Sequence, residues 1–288
     1  NSIDGWVDAM VADEHGGGDG PEGKVGARVV SRQTGRICGR PVVERLLERH
    51  FHGCEVEWHV SEGGEISEGD VILELRGSYV QALQAERILL NILGGLSGIA
   101  TNVALWSEAA GEIDVAATRK ADWGLLHKWA VHVGGGLTHR LSRGDALMIK
   151  ENDIAAMRLH GEGDAEALRR VVMSMDMDEH SDFTVFEVRE VNQALVVASA
   201  WDHVQKMRGG ADRVVILLDN MGPVGACQVN EMLSESGLRH RCVLEGSGGV
   251  DLDSLSEWNE SGVDIVSSSA LNRGVVPLDL SMLFEGGS

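Results

Sequence analysis

Hydrophobic and polar positions change period several times along the chain. Ile3 to Ala12 carries apolar residues at helical spacing and predicts a short amphipathic helix, followed by an acidic, glycine-rich loop from Asp13 to Gly23. Lys24 to Arg32 (KVGARVVSR) reads as a strand, with Thr34-Gly35 as the turn after it. Pro41 to Phe51 puts proline near its start and apolar residues at helical spacing, so it predicts a helix. Glu55 to Val60 alternates as a strand, and Val71 to Leu75 continues the sheet after the turns at Gly63-Gly64 and Glu68-Gly69-Asp70. From Val80 to Leu105 the pattern is helical again. Gly94, Gly95 and Gly98 interrupt it, which predicts either close helix packing or a break between two helices.

After Gly111 the chain settles into a rhythm. Short apolar runs at Ile113–Ala117, Ala146–Ile149, Phe183–Val188, Arg213–Leu218, Cys242–Leu244 and Val263–Val266 alternate with helical stretches. This predicts parallel βα units with buried strands, and so an α/β fold with a barrel-like sheet. Each run ends in polar or small residues: Arg119 and Lys120, Lys150, Glu187, Asp219-Asn220, Glu245-Gly246-Ser247-Gly248-Gly249, and Ser267-Ser268-Ser269. An α/β barrel carries its chemistry at that end of its strands.

Charge sharpens the picture. The formal net charge is -20, and Lys24, Lys120, Lys128, Lys150 and Lys206 are the only lysines. Such a chain repels nucleic acid and anionic membranes, so neither is expected as a partner. No run of roughly eighteen apolar residues is seen, so no membrane span is expected. The acidic N-terminal stretch lacks the basic-then-apolar pattern of a signal peptide. Cys38, Cys54, Cys227 and Cys242 are scattered without a C-x-x-C pair and read as buried thiols of a reducing compartment, the cytoplasm. His50, His52 and His59 read as ordinary histidines and not as a metal site.

Against that acidic background, Ala117 to Asp153 gathers Arg119, Lys120, His139, Arg140 and Lys150. So many cations suit a ligand with several negative charges, phosphates or carboxylates, although solvated surface cations are the plain alternative. Gly246-Ser247-Gly248-Gly249 precedes a helix expected near Asp251, and Ser267-Ser268-Ser269 precedes another short helical stretch. Small residues at such turns let backbone N–H groups approach a phosphate. Glu187 and Asp219 suit a magnesium ion that keeps most of its waters, or else ion pairs with nearby cations. Glu86, Arg87 and Asn91 read by themselves as a salt-bridged helix surface.

The runs ERILLNILGGLSGIATN, ATRK, VGGGLTHR, LMIKEND, FEVREVNQAL, LLDNM and EGSGGV, in this order from Lys24 onward, resemble the quinolinate phosphoribosyltransferases. The resemblance implies an N-terminal α/β sandwich joined to an incomplete α/β barrel, in a head-to-tail homodimer whose sites are shared between subunits, or a higher oligomer. The expected divisions are an N-terminal domain at 1–105, a barrel at 106–275, and a C-terminal segment at 276–288 returning to the N-terminal domain. The resemblance further implies that Arg119, His139, Arg140 and Lys150 hold the carboxylates of quinolinate, with Arg87 reaching in from the other subunit. It gives Lys120, Glu187 and Asp219 the pyrophosphate and magnesium of phosphoribosyl pyrophosphate. It gives Ser247, Gly248, Gly249 and Ser267 to Ser269 the 5-phosphate.

Some positions depart from the family pattern. The threonine, proline and arginine that follow its T-R-K are missing from Ala121-Asp122-Trp123-Gly124-Leu125. Asp153 stands where the family has histidine, Ser269 where it has glycine, and Gly18-Asp19-Gly20-Pro21 where it reads G-D-x-T-T. The alternatives are a relative that uses nicotinate or another aromatic acid without decarboxylation, or a phosphate-ligand-binding protein without catalysis. The full set of carboxylate-binding cations and the retained Glu187 and Asp219 speak against them.

Overall fold

A computed structural model of the chain describes residues 2–14, 22–142, 144–175 and 183–285. The Gly18–Pro21 element lies outside the described residues. The elements are α1 (Ser2–Glu14), β1 (Lys24–Ser31), β2 (Gly35–Arg36), α2 (Arg40–His50), β3 (Cys54–Trp58), β4 (Glu65–Ile66), β5 (Val71–Ser78) and α3 (Tyr79–Ala110). There follow β6 (Asp114–Ala117), α4 (Leu125–Val133), β7 (Ala146–Ile149), α5 (Glu151–Met157), α6 (Asp164–Ser174), β8 (Phe183–Val188) and α7 (Val191–Arg208). The chain continues with β9 (Val214–Asp219), α8 (Gly222–Glu235), β10 (Cys242–Ser247), α9 (Leu255–Glu260), β11 (Ile265–Ser268) and β12 (Leu280–Phe284).

Two units result. The first comprises Asn1–Leu105, Lys120–Gly136 and Leu271–Ser288, and the second Trp106–Arg119 and Leu137–Ala270. Residues 120–136, which the sequence reading assigned to the barrel, thus group with the first unit.

The first unit is built on an antiparallel sheet of order β12-β1-β5-β3. The burial of β1 alternates, Val25, Ala27 and Val29 inward, because one face packs on apolar surface and the other meets water. Helix α3 runs unbroken through its glycines. Leu89, Leu93, Leu96, Ala100 and Val103 recur at helical spacing and are fully buried. The glycines serve close packing: a Cβ on Gly98 would lie 2.4 Å from the carbonyl oxygen of Val276, and one on Gly94 2.9 Å from that of Leu278. This helix also corrects the expectation that no membrane-length apolar segment exists. One 18-residue window of it is long and apolar enough to cross a bilayer, with a mean hydropathy of 1.7, and 67% of that window is buried in the protein.

The second unit holds six parallel strands in the order β6-β11-β10-β9-β8-β7. They form a curled half-barrel whose first and second strands, β6 and β7, are its two edges. Leu137 extends the β6 edge by one parallel bridge to Ala116, donating its N–H to Val115 and accepting from Ala117. The six strands begin and end within a few residues of the apolar runs read from sequence. The helix after Gly249 does not start near Asp251. Asp251 and Ser254 first hydrogen-bond reciprocally, each backbone N–H to the other's side chain, and this turn delays α9 to Leu255.

Candidate active site

In a strand, side chains two apart share a face. Val185, Val215 and Leu217 form one buried cluster with Met148, Phe183 and Val243 packed against it, which is the apolar floor inside the half-barrel. Counting on by twos from that floor gives Lys150 above Met148, Glu187 above Val185, Asp219 above Leu217, and Glu245 then Ser247 above Val243. The same alternation that buries the floor therefore delivers a ring of charged and polar side chains one layer higher.

These groups find one another. The ammonium of Lys150 donates to Oε2 of Glu187, whose side chain is 10% exposed against 46% for the lysine. Arg189, just past β8, donates from Nε to Oδ2 of Asp219 at 3.0 Å and also bridges to Glu151. Arg140 directs Nη2 to the sulfur of Met148 at 3.1 Å, beside the Lys150 column. Among the described residues no group of three or more His, Cys, Asp or Glu side chains gathers as a metal cage. Glu187 and Asp219, hard oxygen donors on adjacent strands, fit a divalent cation that keeps most of its waters.

His139 takes another direction. Its Nε2 lies 2.9 Å from Oε2 of Glu245, and its Nδ1 accepts the backbone N–H of Arg140 at 2.8 Å. A backbone amide can only donate, so the ring proton resides on Nε2 and is given to the carboxylate. Both ring nitrogens are engaged.

The turns after β10 and β11 differ in how they are built. Gly248 has φ +90°, and a Cβ there would meet the side-chain oxygen of Asn220 at 2.4 Å, so glycine is demanded twice over. Asn220 itself is left-handed, at φ 57°, and donates its N–H to the carbonyl of Ser247. At Gly249, also left-handed, the Cβ direction is open. In the second turn Ser268 is buried and spent internally, donating to the carbonyl of Val250 at 2.8 Å and accepting from the N–H of Ala270. Ser267 is also buried, while Ser269 opens a single 3-10 turn to Leu271. Asp153 acts close to home. Its carboxylate accepts the N–H of Lys150 at 2.8 Å and caps α5 directly behind the lysine.

The remaining candidates are apportioned between the units. Arg119 is exposed at the end of the second unit's first segment. Lys120 is exposed in the first unit, where its carbonyl accepts from Nδ2 of Asn272 at 2.9 Å. Arg87 lines a first-unit cleft of about 520 Å³ with Asn91, Trp123, Leu278 and Asp279. Trp123 lies against α3 where a Cβ on Gly95 would be 3.3 Å from its ring.

Sequence reasoning gave no role to Arg189 or Glu245. Arg189 lies two residues beyond Glu187, within the run FEVREVNQAL, but nothing in its spacing announces a bridge to Asp219. Glu245 stands among the polar residues that end the Cys242–Leu244 run and falls on the same alternating face as Val243 and Ser247, a signal that could have given it a role.

The family model for the quinolinate phosphoribosyl transferase N-terminal domain matches residues 12–97, and that for the C-terminal domain matches residues 99–283. The chain is 34% identical over 270 residues to a probable nicotinate-nucleotide pyrophosphorylase (carboxylating) of Methanothermobacter thermautotrophicus, covering 91% of this chain and 89% of that one. It is 34% identical over 268 residues to the protein of the same name from Archaeoglobus fulgidus, covering 91% and 95%. Among solved structures, the NadC protein of Streptococcus pyogenes superposes with a TM-score of 0.81 at 28% identity, over 98% of this chain and 95% of that one. The nicotinate-nucleotide pyrophosphorylase of Francisella tularensis shares the fold with a TM-score of 0.83 at 24% identity, over 99% and 96%. With both domain models matched in order along one half-barrel and one antiparallel sheet, this chain belongs to the quinolinate phosphoribosyltransferase family.

Proposed function

We propose that the protein transfers the phosphoribosyl group of phosphoribosyl pyrophosphate to quinolinate, releasing pyrophosphate and carbon dioxide and leaving nicotinate mononucleotide, a step of NAD biosynthesis. The observation that carries this reading is the charged ring above the apolar floor. It supplies cations for a dicarboxylate and carboxylates for a developing cation in one layer. Arg119, Arg140 and Lys150 supply charge for the two carboxylates of quinolinate, with His139 the fourth member of their group. In a dimer that shares its sites, Arg87 of a second copy completes the set and Lys120 meets the pyrophosphate. The Ser247–Gly248–Gly249 turn, with Ser267 to Ser269, receives the 5-phosphate.

The pyridine nitrogen attacks C1 of the ribose as the bond to pyrophosphate breaks. Positive charge on the sugar then develops beside Glu187 and Asp219, where fixed negative charge stabilises it. Glu187 and Asp219 would hold magnesium, which would supply positive charge against the pyrophosphate. Lys150 leaves Glu187 for the incoming carboxylate, which frees Glu187 for the sugar. Alkylated at nitrogen, the ring accepts the electron pair of the adjacent carboxylate as carbon dioxide departs, and a proton takes its place. The four free cysteines suit a reducing compartment, the cytoplasm.

The test is carbon dioxide release from labelled quinolinate with phosphoribosyl pyrophosphate and magnesium. Stoichiometric release with nicotinate mononucleotide is the expected result. Turnover of nicotinate in preference to quinolinate would overturn the reading.

A further inference from the structure

Glu245 is 1% exposed, inside the half-barrel at the depth of Leu217, with which it is in register. A carboxylate there is costly to bury, and its Oε1 has no hydrogen-bond partner. Its neighbours along and across the strand, Val243 and Leu217, are apolar. A role confined to holding the fold would be met better by another apolar side chain. Its Oε2 accepts from His139.

His139 is one of two non-glycine residues with positive φ among the described residues, at φ 51°. A left-handed residue other than glycine persists where its surroundings hold it. Here the ring folds back so that Nδ1 takes the N–H of Arg140, Phe183 presses edge-on against it at 5.7 Å, and Glu245 fixes the far end. Arg140 therefore leaves the backbone from an anchored point, and its guanidinium arrives over Met148, below Lys150.

We propose that Glu245 is a positioning residue for quinolinate binding: it aims Arg140 at the ring of charges through His139, which serves as a strut. This rests on the proposed function for the identity of the ligand.

The experiment uses the full chain and compares Glu245→Leu, Glu245→Gln, Arg140→Ala and the Glu245→Leu/Arg140→Ala pair. Glu245→Leu is expected to raise the KM for quinolinate by about tenfold or more, with the KM for phosphoribosyl pyrophosphate held within about twofold. Glu245→Gln keeps an oxygen for the Nε2 proton and should stay within about threefold of wild type for both. The paired variant should bind quinolinate no worse than Arg140→Ala alone, because both changes remove one contact. If Glu245→Leu fails to fold, Glu245→Met removes the same acceptor with a side chain of matching length, and the same KM split is expected.

Equal damage from Gln and Leu, parallel rises in both KM values, or multiplying effects in the paired variant would overturn the proposal. Nitrogen-15 NMR of the ligand-free protein reads the strut independently of turnover. A His139 signal with the proton on Nε2, lost in Glu245→Leu and kept in Glu245→Gln, supports it even if quinolinate proves not to be the substrate. The proton on Nδ1 would sink it.

Discussion

Gly246 sits between Glu245 and Ser247, and its missing side chain is filled by Trp258. A Cβ at this position would lie 2.3, 2.7 and 2.9 Å from Cζ3, Cε3 and Cη2 of an indole that is 1% exposed. No real Cβ contact is that short, and a buried ring of this size has nowhere to swing. Overpacking of this kind costs about 1–3 kcal/mol, with the upper half of the range appropriate to three ring atoms at once. Replacing glycine in a strand returns about 0.5–1 kcal/mol. Gly246→Ala should therefore destabilise the second unit by about 2 kcal/mol. Trp258→Phe removes the offending edge and alone costs about 1–2 kcal/mol for the volume lost. The double variant should be little worse than Trp258→Phe, a favourable coupling of about 1–2 kcal/mol. Urea unfolding of the four proteins, followed by circular dichroism with m-values compared, measures this cycle. A Gly246→Ala protein within about 0.5 kcal/mol of wild type, or strictly additive effects in the double variant, would refute the steric account.

Arg140→Ala should weaken quinolinate binding by about 2–5 kcal/mol and leave phosphoribosyl pyrophosphate binding nearly unchanged, as separate calorimetric titrations would show; equal losses would remove Arg140 from the acid site. Glu187→Gln and Asp219→Asn should each cut turnover by about tenfold or more at saturating magnesium while quinolinate affinity survives, and near-normal turnover would mean that residue is misplaced. Arg87→Ala and Lys120→Ala should each be nearly inactive alone, yet co-refolded mixtures should recover about a quarter of wild-type activity, since half the dimers are hybrids with one intact site. Recovery no better than the unmixed variants, with hybrids verified by native mass spectrometry, would put both residues in one subunit's site. Burial lowers the pKa of His127, so the unfolded chain takes its proton first. The associated stability is complete above the unfolded value near 6.5 and is lost as pH falls through the folded one. The urea midpoint should drop between about pH 7.5 and 5.5, and less so in His127→Gln; equal drops would acquit this histidine.

The barrel strands were legible because six buried runs, each ending in a polar or small residue, leave little else for the chain to be. Val185, Leu217 and Val243 are apolar for the floor, and Glu187, Asp219 and Ser247 follow them by the strand's own period. Helix α3 was legible in extent but not in continuity, since a glycine announces only that something comes close. What comes close to Gly98 is the backbone of Val276, far along the chain. The start of α9 was missed because a reciprocal Asp251–Ser254 turn mimics a cap without beginning a helix. The grouping of residues 120–136 with the first unit follows from tertiary partners such as Asn272, and no local pattern encodes it. The ion pairs Lys150–Glu187 and Arg189–Asp219 could be named as types in advance, but the choice of partner depends on sheet order.

The pairing of β1 with β12 has a consequence for how the protein is made. Residues 24–31 leave the ribosome early, yet one whole edge of β1 is hydrogen-bonded to residues 280–284. Until those are synthesised, the N-terminal sheet waits with an open flank, while β7 to β11 pair in chain order and β6 waits for β11. Such long-range closure is slow and leaves an unpaired strand exposed to wrong partners. Synthesis therefore favours a half-barrel that consolidates before the N-terminal sheet closes, so chaperone demand during translation falls most on β1, which is made before the half-barrel and paired after it.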